Sequence, residues 1–473
     1  MARPKFPNRE RPWPYIILCG FLGLVFLTGG GSRPDIQSLV LLRPVAVLVV
    51  TYGLWGLRRG HIRDFQFVLG MMTAIFLLVS AHLVPLPPSI WSHLPGRDLL
   101  VEVDRLAGLG SVWRPISMVP SATWNAFYSL FVPLAVLLLA VQITREQRFQ
   151  LLLVFIVVGL ASGLLGMLQV VGTPGGVLYL YNVTNSESAV GLFSNRNHQA
   201  ILLACLFPML AVYASSAIRT VEQHRTRSWI ALVAGAVIIP LLLVTGSRAG
   251  LILGLLGIGS VPMLYRKPLL DRPAKRKNTK KITLYLAAGF FVIGLGTLTF
   301  LFSRAQAFER IIAPDQAEDI RLSIWAPIAD MAWKYFPFGS GIGSFVEVYQ
   351  IDEPLRLLVP SYLNHAHNDW LELYMTGGLP ALLLTGITLV AWVRASAIAW
   401  RSPLFRQRDV LYSRLGSIIL LILAGGSIGD YPLRAPILAC FAVVAALWTN
   451  GRAPQEIKRG KNGGTLEHAR LAP

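Results

Sequence analysis

Charged residues are scarce in this chain of 473 amino acids, at 14% of the sequence, whereas a water-soluble domain usually carries about a quarter. Hydrophobic residues make up 54%, which excludes a water-soluble protein. Cysteine is rare as well: the three copies lie in separate apolar stretches without CxxC spacing, which argues against a disulfide framework or a cysteine metal site. Strict alternation of polar and apolar residues is also missing, which argues against an outer-membrane β-barrel.

Long apolar runs dominate the chain. A helix needs about 20 apolar residues to cross roughly 30 Å of hydrocarbon. Reading the runs between polar breaks predicts an all-α polytopic membrane protein with about twelve transmembrane helices. The predicted spans are 15–30, 36–56, 66–85, 126–143, 150–172, 197–218, 228–246, 249–265, 283–303, 379–398, 411–429 and 433–449.

Basic residues occupy every second connection between these spans and account for the net charge of +19. Because Lys and Arg accumulate on the cytoplasmic side of membrane proteins, we interpret this charge as an orientation signal and expect no nucleic-acid partner. The predicted organisation is a cytoplasmic N-terminus (1–14), nine spans (15–303), one large outer loop (304–378), three further spans (379–449) and a basic cytoplasmic tail (450–473).

The large outer loop holds most of the polar motifs. Its segment 364–374 reads NHAHNDWLELY, and we expect it to form a short helix at the membrane interface, with His365 and His367 at the outer surface. Histidines two residues apart on a helix point in different directions, and no HExxH motif occurs, so we expect no metal site. The GxGxG segment at 339–343 predicts a tight turn in which the backbone approaches either other backbone or a phosphate.

Arginines collect on the same outer side. Arg248 lies in a TGSRAG turn between two apolar runs, where an ionised side chain close to hydrocarbon indicates a functional site. Arg196 and Arg434 approach the membrane from the same side, although Arg434 could also pair with Asp430, and Arg321 lies in the large loop. Guanidinium groups bind phosphate oxygens, and a neutral histidine accepts a proton, so the cluster is typical of a transfer reaction with a pyrophosphate leaving group.

The motifs, taken in order, resemble those of a known family. They are GLFSNRNH at 191–198, TGSRAG at 245–250, RxxxW at 321–325, PxGxGxG at 337–343 and HAHNxxL at 365–371. In this order they resemble the O-antigen ligase and polymerase superfamily of bacterial envelope glycosyltransferases. The resemblance extends from about residue 150 to residue 437 and implies a GT-C-like fold in the bacterial inner membrane, with the active site facing the periplasm.

The resemblance also implies an activity. It is the inverting, metal-independent transfer of a glycan from undecaprenyl pyrophosphate to an acceptor hydroxyl, without a cofactor. The acceptor would be the lipid A core, another lipid-linked glycan or a protein serine, and the sequence does not decide between them. By the family pattern His367 is the base, Arg248 and Arg321 hold the pyrophosphate, and His365 orients the acceptor.

Other interpretations remain open at this stage. A twelve-span secondary transporter or a flippase of envelope precursors is the main alternative, supported by Arg43 within a predicted span. Metal-dependent GT-C enzymes use an acidic pair in the first large outer loop, and Glu102 and Asp104 lie in that loop here. We interpret this pair as a solvated turn, because the arginines already supply positive charge.

Overall fold

The structure is a computed structural model. It describes residues 12–216, 220–267, 294, 316–358, 362–404 and 407–450, and for 316–322 the backbone alone. Within these residues the regular structure is helical, apart from one pair of two-residue strands, and we number the elements in chain order. They are α1 Trp13–Thr28, α2 Leu39–Gly56, α3 Arg59–Asp64, α4 Gln66–Ala81, β1 Pro85–Leu86, α5 Pro88–Trp91, α6 Asp98–Leu106, β2 Arg114–Pro115, α7 Pro120–Ser129, α8 Phe131–Ala140, α9 Arg145–Val171, α10 Arg196–Ser215, α11 Val221–Val244, α12 Arg248–Leu264, α13 Gln316–Lys334, α14 Phe345–Ile351, α15 Asp369–Arg401, α16 Arg408–Gly429 and α17 Pro436–Thr449.

Length and composition identify the membrane helices. Among the described residues, seven helical segments are long and apolar enough to cross a membrane: α2, α7 with α8, α9, α10, α11, α15 and α16. Four shorter apolar helices accompany them, namely α1, α4, α12 and α17. Every predicted span within the described residues overlaps one of these helices, whereas the predicted span 283–303 lies outside the described residues. The prediction of an all-α polytopic membrane protein is therefore confirmed.

The short helix predicted in the segment 364–374 of the large loop is present. It begins at Asp369, and a kink at Gly378 separates it from the long second part of α15, which ends at Arg401; its position at the membrane interface stays a prediction. Asn368 starts the helix by accepting a hydrogen bond from the backbone N–H of Leu371 (3.1 Å). Gly378 takes non-helical backbone angles, with a positive φ of 57°, so α15 consists of a short first helix and a long second helix that meet at this kink.

The apolar side chains form two cores. The larger core lies among the membrane helices, where α10 is buried almost throughout its length. The smaller core joins α13 and α14 to the first turns of α15 and includes Ile328, Ala366 and Met375. The segment that carries both histidines of the HAHN motif is thereby held against folded protein.

Candidate active site

Three helix ends meet at one end of the bundle, which we call the site end. The helices α10 and α12 both begin there and pack closely, since a Cβ atom on Gly250 would lie 2.3 Å from Cβ of Ala200. The last turn of α16 packs on both helices, because a Cβ atom on Gly426 would lie 2.6 Å from Ile201 and 3.5 Å from Leu253. The motifs at the start of α10, the start of α12 and the end of α16 are therefore neighbours.

Asp430, directly after α16, is the charged centre of this region. Its side chain is 1% exposed, and one carboxylate oxygen accepts hydrogen bonds from the amide groups of Asn195 (3.1 Å) and Asn197 (2.5 Å). Two imidazoles approach the other oxygen: Nδ1 of His367 lies 3.5 Å away and Nε2 of His198 lies 3.8 Å away. A buried carboxylate with these partners stabilises positive charge on a neighbouring histidine.

His367 is positioned by its backbone and by an aromatic ring. It has a φ of 49° and is the non-glycine residue with positive φ in the described part of the chain. Such a conformation in a non-glycine residue is uncommon and is concentrated at functional sites. The ring of Tyr431 lies between three imidazoles, at centroid distances of 4.3 Å from His365, 5.0 Å from His367 and 5.2 Å from His198.

His365 belongs to a second charged group beside the first. Its Nδ1 lies 3.2 Å from both oxygens of the buried Glu372. Arg434 approaches the same carboxylate with Nη2 (3.0 Å) and Asp369 with Nε (3.2 Å). Burial alone would lower the pKa of Arg434, but the two carboxylates raise it above its usual value. Arg434 therefore pairs with Asp369 and Glu372, and not with Asp430.

The remaining arginines of the predicted cluster take different positions. Arg196 is the first residue of α10, and its backbone N–H donates to Oδ1 of Asn185 (3.0 Å). Arg248 is the first residue of α12, which Ser247 caps by accepting the N–H of Gly250. Arg321 lies in α13, and its side chain is outside the described residues. The structure thus brings the starts of α10 and α12 together with the two histidines and leaves the Arg321 side chain unplaced.

The GxGxG segment is a packing turn and not a phosphate cradle. Its three glycines have positive φ values of 78°, 112° and 91°. The N–H groups of residues 339 to 342 are occupied by the carbonyls of Tyr335, Met375 and Thr376 and by Nδ1 of His82. A Cβ atom on Gly341 would lie 2.5 Å from Ser117. Of the two possibilities that the sequence left open, the close approach of backbone to backbone is therefore correct.

The first outer loop is tied to this turn by two side chains that the sequence did not single out. Arg97, 2% exposed, donates hydrogen bonds to the carbonyls of Gly339, Ile116 and Pro95 (3.0, 2.6 and 3.0 Å). Burial, with the charge of Arg97 as a smaller cause, lowers the pKa of His82 to about 4. His82 is therefore neutral at pH 7 and accepts the N–H of Ile342.

The interpretation of Glu102 and Asp104 as a solvated turn is confirmed only for the exposure of Glu102 and is otherwise wrong. Both lie in α6, and Asp104 is buried and forms an ion pair with Arg114. The hydrogen bond from Arg114 lowers the pKa of Asp104, and that from Arg105 lowers the pKa of the exposed Glu102. Each carboxylate thus has its own arginine partner within the loop.

These features define a helical, multi-pass membrane protein with histidines, carboxylates and arginines gathered at one end of its bundle. Residues 230–386 match the family model described as O-antigen ligase. The match confirms the resemblance of this chain to the O-antigen ligase and polymerase superfamily. It includes Arg248, Arg321, His365 and His367, whereas Arg196 lies before it and Arg434 after it. No curated protein matches this chain.

Proposed function

We propose that the protein is an inverting, metal-independent glycosyltransferase that moves a glycan from undecaprenyl pyrophosphate to an acceptor hydroxyl. We place this reaction at the periplasmic face of the bacterial inner membrane, with the protein acting as an O-antigen ligase or a polysaccharide polymerase. The family match supports glycan transfer of this general type. The observation that carries the specific proposal is the contact of His367 with Asp430 (3.5 Å) beside the starts of α10 and α12.

The starts of α10 and α12 supply the positive charge for the donor. A helix N-terminus carries partial positive charge and unpaired N–H groups, which favour a phosphate. Arg196 and Arg248 are the first residues of α10 and α12, so their guanidinium groups add full charges at the place where the backbone already favours an anion. We assign both, together with Arg321, to the diphosphate of the donor.

The transfer itself needs one proton acceptor and one stabilised leaving group. In the proposed step the acceptor oxygen attacks the anomeric carbon, its proton moves to Nε2 of His367, and the bond from that carbon to the diphosphate oxygen breaks. The electron pair of the broken bond remains on the diphosphate, where the arginines stabilise it. Asp430 faces Nδ1 of His367 and stabilises the imidazolium that forms, as a carboxylate does for the histidine of a catalytic triad.

His365 and Arg434 receive supporting roles. His365 is held by Glu372 and keeps part of its side chain accessible, so we assign it to the orientation of the acceptor. Arg434 forms ion pairs with two carboxylates inside the protein. Its charge is thus already matched, and we assign it to the support of His365 and not to the diphosphate.

The transporter and flippase alternatives receive less support from the position of the charged residues. Transporters of this size usually place charge near the bilayer midplane on broken helices. Arg43, which favoured this alternative, lies in the second turn of α2 and donates to Oδ1 of Asn125 in α7 (2.6 Å). Asp430 and Glu372 lie at the ends of α16 and α15, and not at their middle.

A reconstituted assay tests the proposal. Purified protein in liposomes is given undecaprenyl-pyrophosphate glycan and either a lipid A-core acceptor or a lipid-linked glycan, in the presence of EDTA, and the anomeric configuration of the product is read by NMR. His367→Ala should lose at least about a hundred-fold in rate, and His93→Ala, at an exposed histidine of the first outer loop, should not.

Several results would contradict the proposal. Full activity of His367→Ala would remove this residue as the base, and retention of the donor's anomeric configuration would exclude an inverting mechanism. Loss of activity in EDTA that a divalent metal restores would refute metal independence. Counterflow of the donor without any new glycosidic bond would favour a transporter or flippase.

A further inference from the structure

The short helix α6 in the first outer loop has three different faces. Asp104 lies on the buried face and pairs with Arg114. Glu102 and Arg105 lie on an exposed polar face and pair with each other. Leu99, Val103 and Leu106, spaced like one face of a helix, are exposed, with Leu106 at 72%.

Further apolar and aromatic side chains are exposed in the chain after α6 and on α7. Leu109 and Trp113 follow α6 in the chain, and Trp113 is 61% exposed. Trp124 and Tyr128 are exposed on α7 and stack on each other at a centroid distance of 5.7 Å. Tryptophan and tyrosine of membrane proteins are enriched where hydrocarbon meets the headgroups.

The attachment of the loop sets the height of α6 relative to the membrane. The loop leaves the end of α4 and returns at the start of α7. The helix α7 is the first part of a candidate membrane span, Pro120–Ala140. Within the loop, β1 pairs with β2. Arg97, the residue before α6, bonds to the carbonyl of Gly339, and Gly339 packs against Thr376 and Gly378 of α15. Directly after Gly378, α15 exposes leucines along its outer surface, beginning with Leu379. This contact therefore places the start of α6 beside the point where α15 becomes lipid-facing.

We propose that α6 lies flat on the membrane surface at the site end, with Leu99, Val103 and Leu106 inserted among the lipids. The occupant of this face is the bilayer, because the contact of Arg97 with Gly339 holds the start of α6 at the level where α15 begins to expose leucines. Amphipathic helices of this kind bury an apolar face about 5–10 Å into the headgroup boundary. Through Arg97, the helix also fixes the depth of the first turns of α15, which carry Asp369 and Glu372.

Spin labels on single cysteines test this orientation without any assay of activity. A background in which Cys19, Cys205 and Cys440 are replaced by serine or alanine receives one cysteine at a time, as Val103→Cys, Leu106→Cys, Glu102→Cys or Arg105→Cys. Each labelled protein is placed in nanodiscs of phosphatidylethanolamine and phosphatidylglycerol. Collisions with oxygen report lipid contact, and collisions with a water-soluble nickel complex report solvent contact. The matched pairs share one exposed helix and differ only in its face.

The proposal expects labels at 103 and 106 to favour oxygen over nickel by several-fold, and labels at 102 and 105 to show the reverse. Equal, water-like nickel access at all four sites would overturn it. Labels at 103 and 106 that are shielded from both reagents would also overturn it, because another protein surface would then cover the face. Circular dichroism and elution as a single species establish that each variant is folded.

Discussion

Replacement of Asp430 by asparagine separates the charge of this side chain from its shape. The carboxylate lies 3.5 Å from Nδ1 of His367 and is 1% exposed. At an effective dielectric constant of about 20, a carboxylate and an imidazolium at this distance attract each other by about 5 kcal/mol. The amide groups of Asn195 and Asn197 donate to the same carboxylate and weaken its attraction for the imidazolium. We therefore expect the replacement to remove about half of this energy. Asp430→Asn should therefore reduce kcat by roughly a hundred-fold.

The assay is single-turnover glycan transfer by purified protein at saturating donor, with donor binding measured separately. Asp430→Asn should change the rate far more than donor affinity, because the lost charge stabilises the imidazolium that forms during the reaction. Asp104→Asn is the matched control, since it removes the charge of another buried carboxylate whose partner is Arg114 in the first outer loop. If the folded Asp430→Asn variant transferred glycan as fast as the unaltered protein, the role of Asp430 would be refuted. An equal loss in Asp104→Asn would point to stability and not to the imidazolium.

Three further predictions concern the support of the site. Arg434→Gln should lower the free energy of unfolding by about 3–5 kcal/mol, because it leaves two carboxylates without their arginine partner. Thermal unfolding in detergent measures this loss. A raised KM for the donor at unchanged stability would contradict the prediction. Gly341→Ala should cost about 2 kcal/mol or more, since φ is 112° and the new Cβ would lie 2.5 Å from Ser117; an unchanged unfolding midpoint would refute the close packing. The pKa of His82 is about 4 in the folded protein, whereas an ordinary histidine has a pKa of 6.5. This difference corresponds to about 3 kcal/mol of stability. The stability from neutral His82 should be present above pH 6.5 and be lost as the pH falls towards 4. His82→Gln should remove that dependence, and an identical pH profile in both proteins would contradict the prediction.

The fold was predictable from sequence because its signal is local. An apolar run of sufficient length is a membrane helix whatever lies elsewhere in the chain, and the predicted spans within the described residues overlap observed helices. The short helix predicted in 364–374 is present as well, beginning at Asp369 after the capping Asn368. Gly378, which the sequence places after this helix, has a positive φ, as is common where a helix ends, and separates the helix from the long second part of α15.

The site was only partly predictable because it depends on contacts between distant parts of the chain. Histidine and arginine motifs indicated the chemistry, but nothing in the sequence indicates that Asp430 faces His367 or that Glu372 holds His365. Arg434 illustrates the limit: its residue type suits a phosphate, yet its partners are two carboxylates more than 60 residues earlier in the chain. Asn195 and Asn197 lie in a motif that the sequence singled out, but their hydrogen bonds to Asp430 are visible only in the structure.

The most direct test of the proposed reaction is an experimental structure of the protein in a lipid nanodisc with undecaprenyl-pyrophosphate glycan bound. We predict the diphosphate at the joint start of α10 and α12, within hydrogen-bond distance of Arg248 and Arg321, and Nε2 of His367 facing the anomeric carbon. A diphosphate bound elsewhere, or one with His367 beyond reach of the anomeric carbon, would contradict the proposed reaction.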